Sequence, residues 1–211
     1  MLAFYRRHWF DVGGILLVIG GCILSFVWKE LSTVQLLLTA MWFAQLLHNI
    51  EEYRWPGYLP GQMNVGMFNS DTPDRYPFNT NSAMIINTLF AYPVYVLPIF
   101  FPNLIWLGLG PVLIAFAQIP SHTILPIRKL KVRYSPGIIT CVFLHLPIGI
   151  LYVRQILAEG LVHPIDWLYS AIYAVFIGLV LVQGPIRLFR DKNTPYRFTA
   201  RQAQDGRTLS R

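Results

Sequence analysis

The chemistry in this chain concentrates in Leu46-Leu47-His48-Asn49-Ile50-Glu51-Glu52-Tyr53, where one imidazole and two adjacent carboxylates interrupt an apolar run. On a helix, His48, Glu51 and Glu52 stand at i, i+3 and i+4, so the three side chains leave one face within a single turn. That spacing suits the holding of a metal ion or the sharing of a proton. Two carboxylates and an imidazole also need a reason to stand where they do. The elements that carry them supply it.

Of the 211 residues, 55% are hydrophobic, 15% aromatic and only 13% charged, with a mean hydropathy of +0.47. A soluble globule of this length needs more polar surface. The pattern is that of an all-α polytopic membrane protein. About 20 apolar residues make one helical span, and six such runs follow one another, predicting a bundle of six transmembrane helices over residues 1–189 as a single domain. Residues 190–211 are polar, basic and without apolar periodicity, which predicts a disordered tail.

The first run, about Val12 to Trp28, carries glycines at 13, 14, 20 and 21 that let a neighbouring helix approach. It follows Arg6 and Arg7 without a small-residue cleavage pattern, so it is expected to be retained. The second begins near Ser32 or Thr33 and ends at Pro56-Gly57, just past the cluster. Residues 54–81 are rich in Pro, Gly, Asn, Asp and aromatics, too long for a connector, and are expected to form a lid or re-entrant segment over the helix ends. The third run carries Asn87 early and Pro93 and Pro98 later. The fourth ends near Gln118, Ser121 and His122, and the fifth follows Tyr134-Ser135-Pro136-Gly137 and holds His145. Cys22 and Cys141 match neither a metal nor a redox spacing and read as small core residues.

With both termini cytoplasmic, fifteen of the seventeen Lys and Arg fall on the cytoplasmic side, leaving Lys29 and Arg154 outside. The positive-inside rule therefore sets that orientation, and it accounts for the net charge of +7 better than nucleic-acid binding does. In this topology His48, Glu51, Glu52, Asn87, His122 and Tyr134 gather at one membrane face from four separate segments. An ionised carboxylate in hydrocarbon costs about 2.5 to 3.5 kcal/mol, less near the interface. The end of a helix dipole adds about 0.3 to 1 kcal/mol against each anion. A bound cation relieves both.

His48, Glu51, Glu52 and His122 make an N/O donor set suited to Fe(II), Mn(II) or Zn(II), with Asn87 or Gln45 as a further ligand or supporting partner. A di-iron centre usually takes more carboxylates, so one metal is the simpler reading. The bland alternative leaves the glutamates solvated, Glu51 paired to Arg54, and His48 bonded within the bundle. His145, about 12 Å deep at 1.5 Å per residue and followed by Pro147, ranks second to His122.

On these residues the chain resembles the HXXEE family of small membrane proteins. The family motif is met by His48-Asn49-Ile50-Glu51-Glu52, its further histidine by His122, and its Tyr-x-Pro-Gly motif by Tyr134-Ser135-Pro136-Gly137. Trp55-Pro56-Gly57 and Gly137-Ile138-Ile139-Thr140 add to the likeness, which covers approximately residues 40 to 150. The resemblance implies that these residues act together, and it implies no reaction.

The resulting expectation is a bacterial-type inner-membrane enzyme. Glu51, Glu52, Tyr134 and Asn87 are its catalytic candidates, and His48, Glu51, Glu52 and His122 its metal ligands. Its metal or acid/base centre would act on a hydrophobic, lipid-like or isoprenoid substrate by hydrolysis, oxidation, or isomerisation or cyclisation. No phosphate loop or nucleophile elbow narrows that choice. The competing expectation is a non-catalytic metal-ion or proton transporter or binding subunit, against which stand the absence of an inverted repeat and a cluster near an interface. The sequence does not set the oligomeric state.

Overall fold

The computed structural model describes residues 1–207, all of them helix, turn or loop, with no strand among the described residues. The helices are α1 (Leu2–Glu30), α2 (Thr33–Tyr53), a short α3 (Leu59–Gln62) prolonged by a wider turn over Met63–Met67, α4 (Thr80–Phe100), α5 (Ile105–Leu130), α6 (Ile138–Ala158) and α7 (Pro164–Leu188).

Five of these, α1, α4, α5, α6 and α7, are long and apolar enough to cross a membrane, the pattern of an integral membrane protein. The sixth expected span is not among them. α2 has the length, at 21 residues, but Gln35, Thr39, Gln45, His48 and Asn49 make it too polar. It is instead the most enclosed helix: Leu38, Met41, Ala44, Leu46, His48 and Asn49 are buried. Its side chains meet other helices where α1 and α7 meet the lipid-facing exterior, as exposed Ile15, Ile19, Phe26, Ile172 and Leu179 show. A polar helix wrapped in apolar ones is the arrangement in which buried polar groups find partners.

Local chemistry starts each helix. Ser32 Oγ accepts the Gln35 N–H at 3.2 Å while Gln35 Oε1 accepts the Ser32 N–H at 3.1 Å, a reciprocal cap on α2. Asn79 Oδ1 accepts from the N–H groups of Asn81 (3.0 Å) and Ser82 (3.1 Å) to start α4. Prolines shape the middles. α4, α6 and α7 each contain a widened turn, over Ile85–Phe90, Cys141–His145 and Ile177–Val182. Each lies just ahead of a proline, Pro93, Pro147 or Pro185, and includes the residue four back, whose carbonyl a proline cannot serve. The helices stay continuous and change register locally, shifting Asn87, Cys141 and His145 relative to a regular helix.

Two apolar clusters hold the bundle. One packs Leu38 and Met41 of α2 against Leu109 and Val112 of α5 and Tyr152 and Ile156 of α6. The other gathers Trp9, Phe10, Tyr53, Phe78, Ile186 and Phe198 at the opposite end. Gly13, Gly14 and Gly20 of α1 face α2 side chains, as expected, whereas Gly21 meets nothing. Cys22 is exposed, against its expected core placement, and only Cys141 is buried.

Residues 54–79 fold over the helix ends, as the composition predicted, with Tyr58, Leu59, Gln62, Asn64 and Phe78 buried. Asn64 pins this segment: its side-chain amide donates to the carbonyls of Pro73 and Phe78, both at 2.8 Å, and its Oδ1 accepts the Phe78 N–H at 3.0 Å.

The expected disordered tail is instead packed across that lid as far as residue 207. Tyr196 O accepts from Thr80 N, Phe198 N donates to Asp74 O at 2.7 Å, and Gln202 O accepts from Gly61 N at 2.9 Å. Gln202 Nε2 donates to Tyr53 O at 2.9 Å, and Phe198 is buried against Phe78. Its low apolar content hid this, because its docking rests on backbone and polar side-chain bonds to distant segments. The remainder of the expected tail, residues 208–211, lies outside the described residues.

Gly61 permits this docking, since a methyl group there would collide with the backbone of Ala203 and Gln204. Gly61→Ala is therefore expected to release the tail, and limited trypsinolysis at Arg197 and Arg201 should accelerate by roughly tenfold or more, because cleavage tracks the open population. An unchanged cleavage rate would show that the tail is held elsewhere.

Candidate metal centre

α2 presents His48 and Glu52 one turn apart, and α5 brings His122 to meet them. His48 Nε2 lies 3.0 Å from Glu52 Oε1, and His122 Nε2 lies 3.2 Å from the same oxygen. The two imidazoles stand edge to face with centroids 5.1 Å apart. All three residues are buried, and their ligating atoms lie within 4.8 Å of one another. Metal–nitrogen and metal–oxygen bonds of about 2.0 to 2.2 Å place neighbouring donor atoms about 3 Å apart, so the spacing suits ligands of one ion.

The other ring nitrogens decide what these atoms are. His48 Nδ1 is 2.8 Å from Thr140 Oγ1. That hydroxyl is 2.6 Å from Glu51 Oε2, and a carboxylate only accepts, so the hydroxyl proton goes to Glu51 and its oxygen accepts from His48 Nδ1–H. A neutral His48 then carries its proton on Nδ1 and turns a bare Nε2 toward Glu52. His48 Nε2 is close to Glu52 but lies outside hydrogen-bonding geometry and has no hydrogen-bond partner. His122 Nδ1 is similarly engaged, 3.3 Å from Ser135 Oγ. Glu52 Oε1, His48 Nε2 and His122 Nε2 thus meet among buried side chains, a group that can hold a metal ion or share a proton.

Glu51, expected beside Glu52 in the ligand set, does not join it. Its Oε1 accepts from Tyr134 OH at 2.6 Å and Ile139 N at 3.1 Å, and its Oε2 from Thr140 N at 2.9 Å and Thr140 Oγ1 at 2.6 Å. Four donors saturate a carboxylate. Two are first-turn N–H groups of α6, so Glu51 caps that helix where its dipole favours an anion. Nor is Glu51 paired to Arg54, which instead meets Asp11 at 3.1 Å.

The Tyr-x-Pro-Gly segment now has a role at three of its positions. Tyr134 holds Glu51, Ser135 touches His122, and Gly137, at φ +104°, runs beneath both imidazoles. A Cβ on Gly137 would stand 2.5 Å from His122 Cε1 and 2.7 Å from His48 Cε1. Burial, then the bond to Glu51, pushes the Tyr134 phenol above its ordinary value.

A cavity of about 260 Å³ adjoins the cluster, bordered by Glu52 and His122, by the polar Gln45, Asn87 and Gln118, and otherwise mostly by apolar side chains of α4, α5, α7 and the lid. Asn87 is among the lining residues, with its amide donating to Ala83 O (3.0 Å) and Tyr53 OH (3.3 Å). Tyr134 is not. Gln45 donates to Asn49 Oδ1 at 3.0 Å.

Sequence reasoning missed Thr140 and Cys141 and set His145 aside. His145 lies behind His48, centroids 5.1 Å apart, with both ring nitrogens buried and unpartnered; Cys141 Sγ is 3.8 Å from His48 Nδ1. Thr140 closes the Gly-Ile-Ile-Thr stretch, the one signal that pointed to it.

The family model described as a protein of unknown function with HXXEE motif matches residues 36–152, more than half of the chain. Comparison with curated proteins and with solved structures gives no significant match.

Two outcomes test this arrangement. Because the folded state holds the Tyr134 proton more tightly than the unfolded chain does, its contribution to stability is present below about pH 10 and is lost as pH rises beyond it. Melting scans should show a steeper alkaline decline for the wild-type protein than for Tyr134→Phe; parallel curves would contradict the bond. Gly137→Ala should cost about 2 kcal/mol or more through strain at positive φ and collision with both histidines, read as a lowered melting temperature. A melting temperature within error of wild type would contradict the close approach.

Proposed function

Because the chain belongs to the HXXEE family, whose description assigns no activity, we propose its function from its own geometry: a membrane-embedded enzyme whose His48, Glu52 and His122 hold a divalent metal beside an apolar cavity. The observation that carries this reading is the convergence of His48 Nε2 and His122 Nε2 on Glu52 Oε1, at 3.0 and 3.2 Å, with the opposite nitrogen of His48 supplied with an acceptor. Two imidazoles and one carboxylate leave coordination positions open and suit Fe(II), Zn(II) or Mn(II). When bound, such a metal polarises an oxygen or activates water.

The chain's own residues do the rest. Thr140 and Glu51 fix the His48 tautomer and orientation, as a carboxylate-backed imidazole requires. Tyr134 acts through Glu51 and does not face the substrate. Glu52 borders the cavity and can move a proton, and Asn87, whose two amide hydrogens are used by Ala83 O and Tyr53 OH, offers its side-chain oxygen as an acceptor to an incoming polar group. The cavity, near the lower limit of the roughly 300 to 1,000 Å³ usual for small-molecule sites, takes the reactive end of a hydrophobic or lipid-like molecule. Hydrolysis, oxidation and isomerisation or cyclisation all fit these groups. Arg6 and Arg197, from the two ends of the chain, line one pocket, so both ends meet at one face of the bundle, and the excess of Lys and Arg there supports that face as the cytoplasmic one.

A second reading, passage or uptake of a metal ion or proton without catalysis, draws on one observation. The His48 ring stands 5.1 Å from that of His122 and 5.1 Å from that of His145, so three buried imidazoles adjoin one another.

Elemental analysis of detergent-purified protein separates these readings. The enzyme reading expects close to one equivalent of Fe, Mn or Zn, lost in Glu52→Ala, with affinity lowered about 10- to 100-fold in Thr140→Val. Absence of metal from wild-type protein, with pH-dependent flux in liposomes, would favour the second reading and contradict the first.

A further inference from the structure

A separate feature lies at the end of the bundle formed by the start of α1, the end of α2, the start of α4 and the docked tail. Two adjoining pockets, of about 390 and about 500 Å³, share Arg6, Arg7, His8, Thr80 and Arg197, and the first also takes in Arg54 and Arg201. Five guanidinium groups from three distant chain segments border this hollow, and no carboxylate is among its lining residues. Only the docking of the tail brings Arg197 and Arg201 there.

Two acids approach the hollow without lining it and pair with part of its cationic wall, leaving Arg6, Arg7 and Arg201 without a carboxylate partner among the described residues. Asp11 meets Arg54 at 3.1 Å and His8 at 2.9 Å, while Asp74 meets Arg75 at 3.0 Å and reaches Arg197 only at 4.0 Å. Arg6 is held in place: its Nε donates to Asn81 Oδ1 at 3.0 Å and its guanidinium lies 4.2 Å over the Tyr196 ring. Arg7 is exposed and makes no ion pair or hydrogen bond among the described residues. Like charges gathered around one space repel one another, and an anion between them removes that repulsion. Guanidinium forks match phosphate oxygens in pairs.

The rim identifies the source of the anion. Phe4 lines the second pocket and is 65% exposed, and Leu2, 60% exposed, precedes it at the start of α1, close in the chain to Arg6 and Arg7. A cationic hollow with an apolar outer edge, at the end of a helix long and apolar enough to span a membrane, matches a phosphate carried on acyl chains. We propose that this pocket binds the phosphate of an anionic phospholipid headgroup, with the acyl chains running along Leu2 and Phe4. The site is distinct from the metal centre and stands whether or not a metal binds.

Native mass spectrometry of the full chain, released from detergent micelles containing equal amounts of phosphatidylglycerol and phosphatidylcholine, tests this. The wild-type protein should retain phosphatidylglycerol about tenfold over phosphatidylcholine. Arg7→Gln/Arg197→Gln should bring the ratio to about one while its melting temperature in lipid-free detergent stays near wild type, and Arg7→Lys/Arg197→Lys should keep a preference. Should the double variant fold poorly, Arg7→Gln alone, which breaks no contact, should still lower the ratio. Equal retention of the two lipids by wild-type protein, or a preference that survives loss of the arginines, would overturn the proposal. Displacement of the lipid by millimolar inorganic phosphate would overturn the lipid as ligand in favour of a soluble anion.

Discussion

The structure turns on one carboxylate oxygen. Glu52 Oε1 faces the Nε2 atoms of His48 and His122 at hydrogen-bonding distance inside the bundle, and His48 holds its other nitrogen against a hydroxyl that fixes its proton there. An ionised carboxylate enclosed by apolar helices is tolerated only with a compensating positive charge. Much of the surrounding architecture serves this meeting: α2 is polar and central, α5 carries His122, and the 134–140 segment passes close beneath both rings.

Glu51 and Glu52 show how one turn of helix divides labour between neighbours. Successive residues point about 100° apart around the axis. Glu52 therefore faces α5 and the cavity, while Glu51 faces the start of α6 and accepts four hydrogen bonds there. The two are coupled through Thr140, whose hydroxyl links the Glu51 carboxylate to His48 Nδ1. The pair of acids is thus one carboxylate turned to the two histidines and one brace. This explains why a Tyr-x-Pro-Gly segment far along the chain belongs with a His-x-x-Glu-Glu helix: it supplies the donors that hold the brace and the glycine that lets the backbone pass.

Much of this was legible in the sequence. The i, i+4 spacing of His48 and Glu52 fixes their common face by helical geometry alone, and alternating topology brought His122 to the same level. The composition of residues 54–81 announced a folded lid. What could not be read depended on contacts between distant segments. Nothing in Glu51 itself distinguishes a cap from a ligand, because its partners lie more than eighty residues away. α2 reads as a membrane span until its polar residues are seen to be enclosed by apolar helices. The tail looked disordered because it docks through backbone and polar side-chain bonds to distant segments, which leave no apolar periodicity. His145 and Cys141 owe part of their placement to a widened turn that shifts helical register ahead of Pro147, a displacement that regular periodicity does not anticipate.

The central proposal is that His48, Glu52 and His122 share a metal ion and not merely a proton. X-ray absorption spectroscopy on detergent-purified protein loaded with Zn(II) addresses it most directly. The account predicts a first shell of nitrogen and oxygen at about 2.0 to 2.2 Å with the scattering signature of two imidazoles. A shell containing sulfur at about 2.3 Å would move the ion to Cys141, and a shell without imidazole, or no bound zinc, would contradict the centre described here.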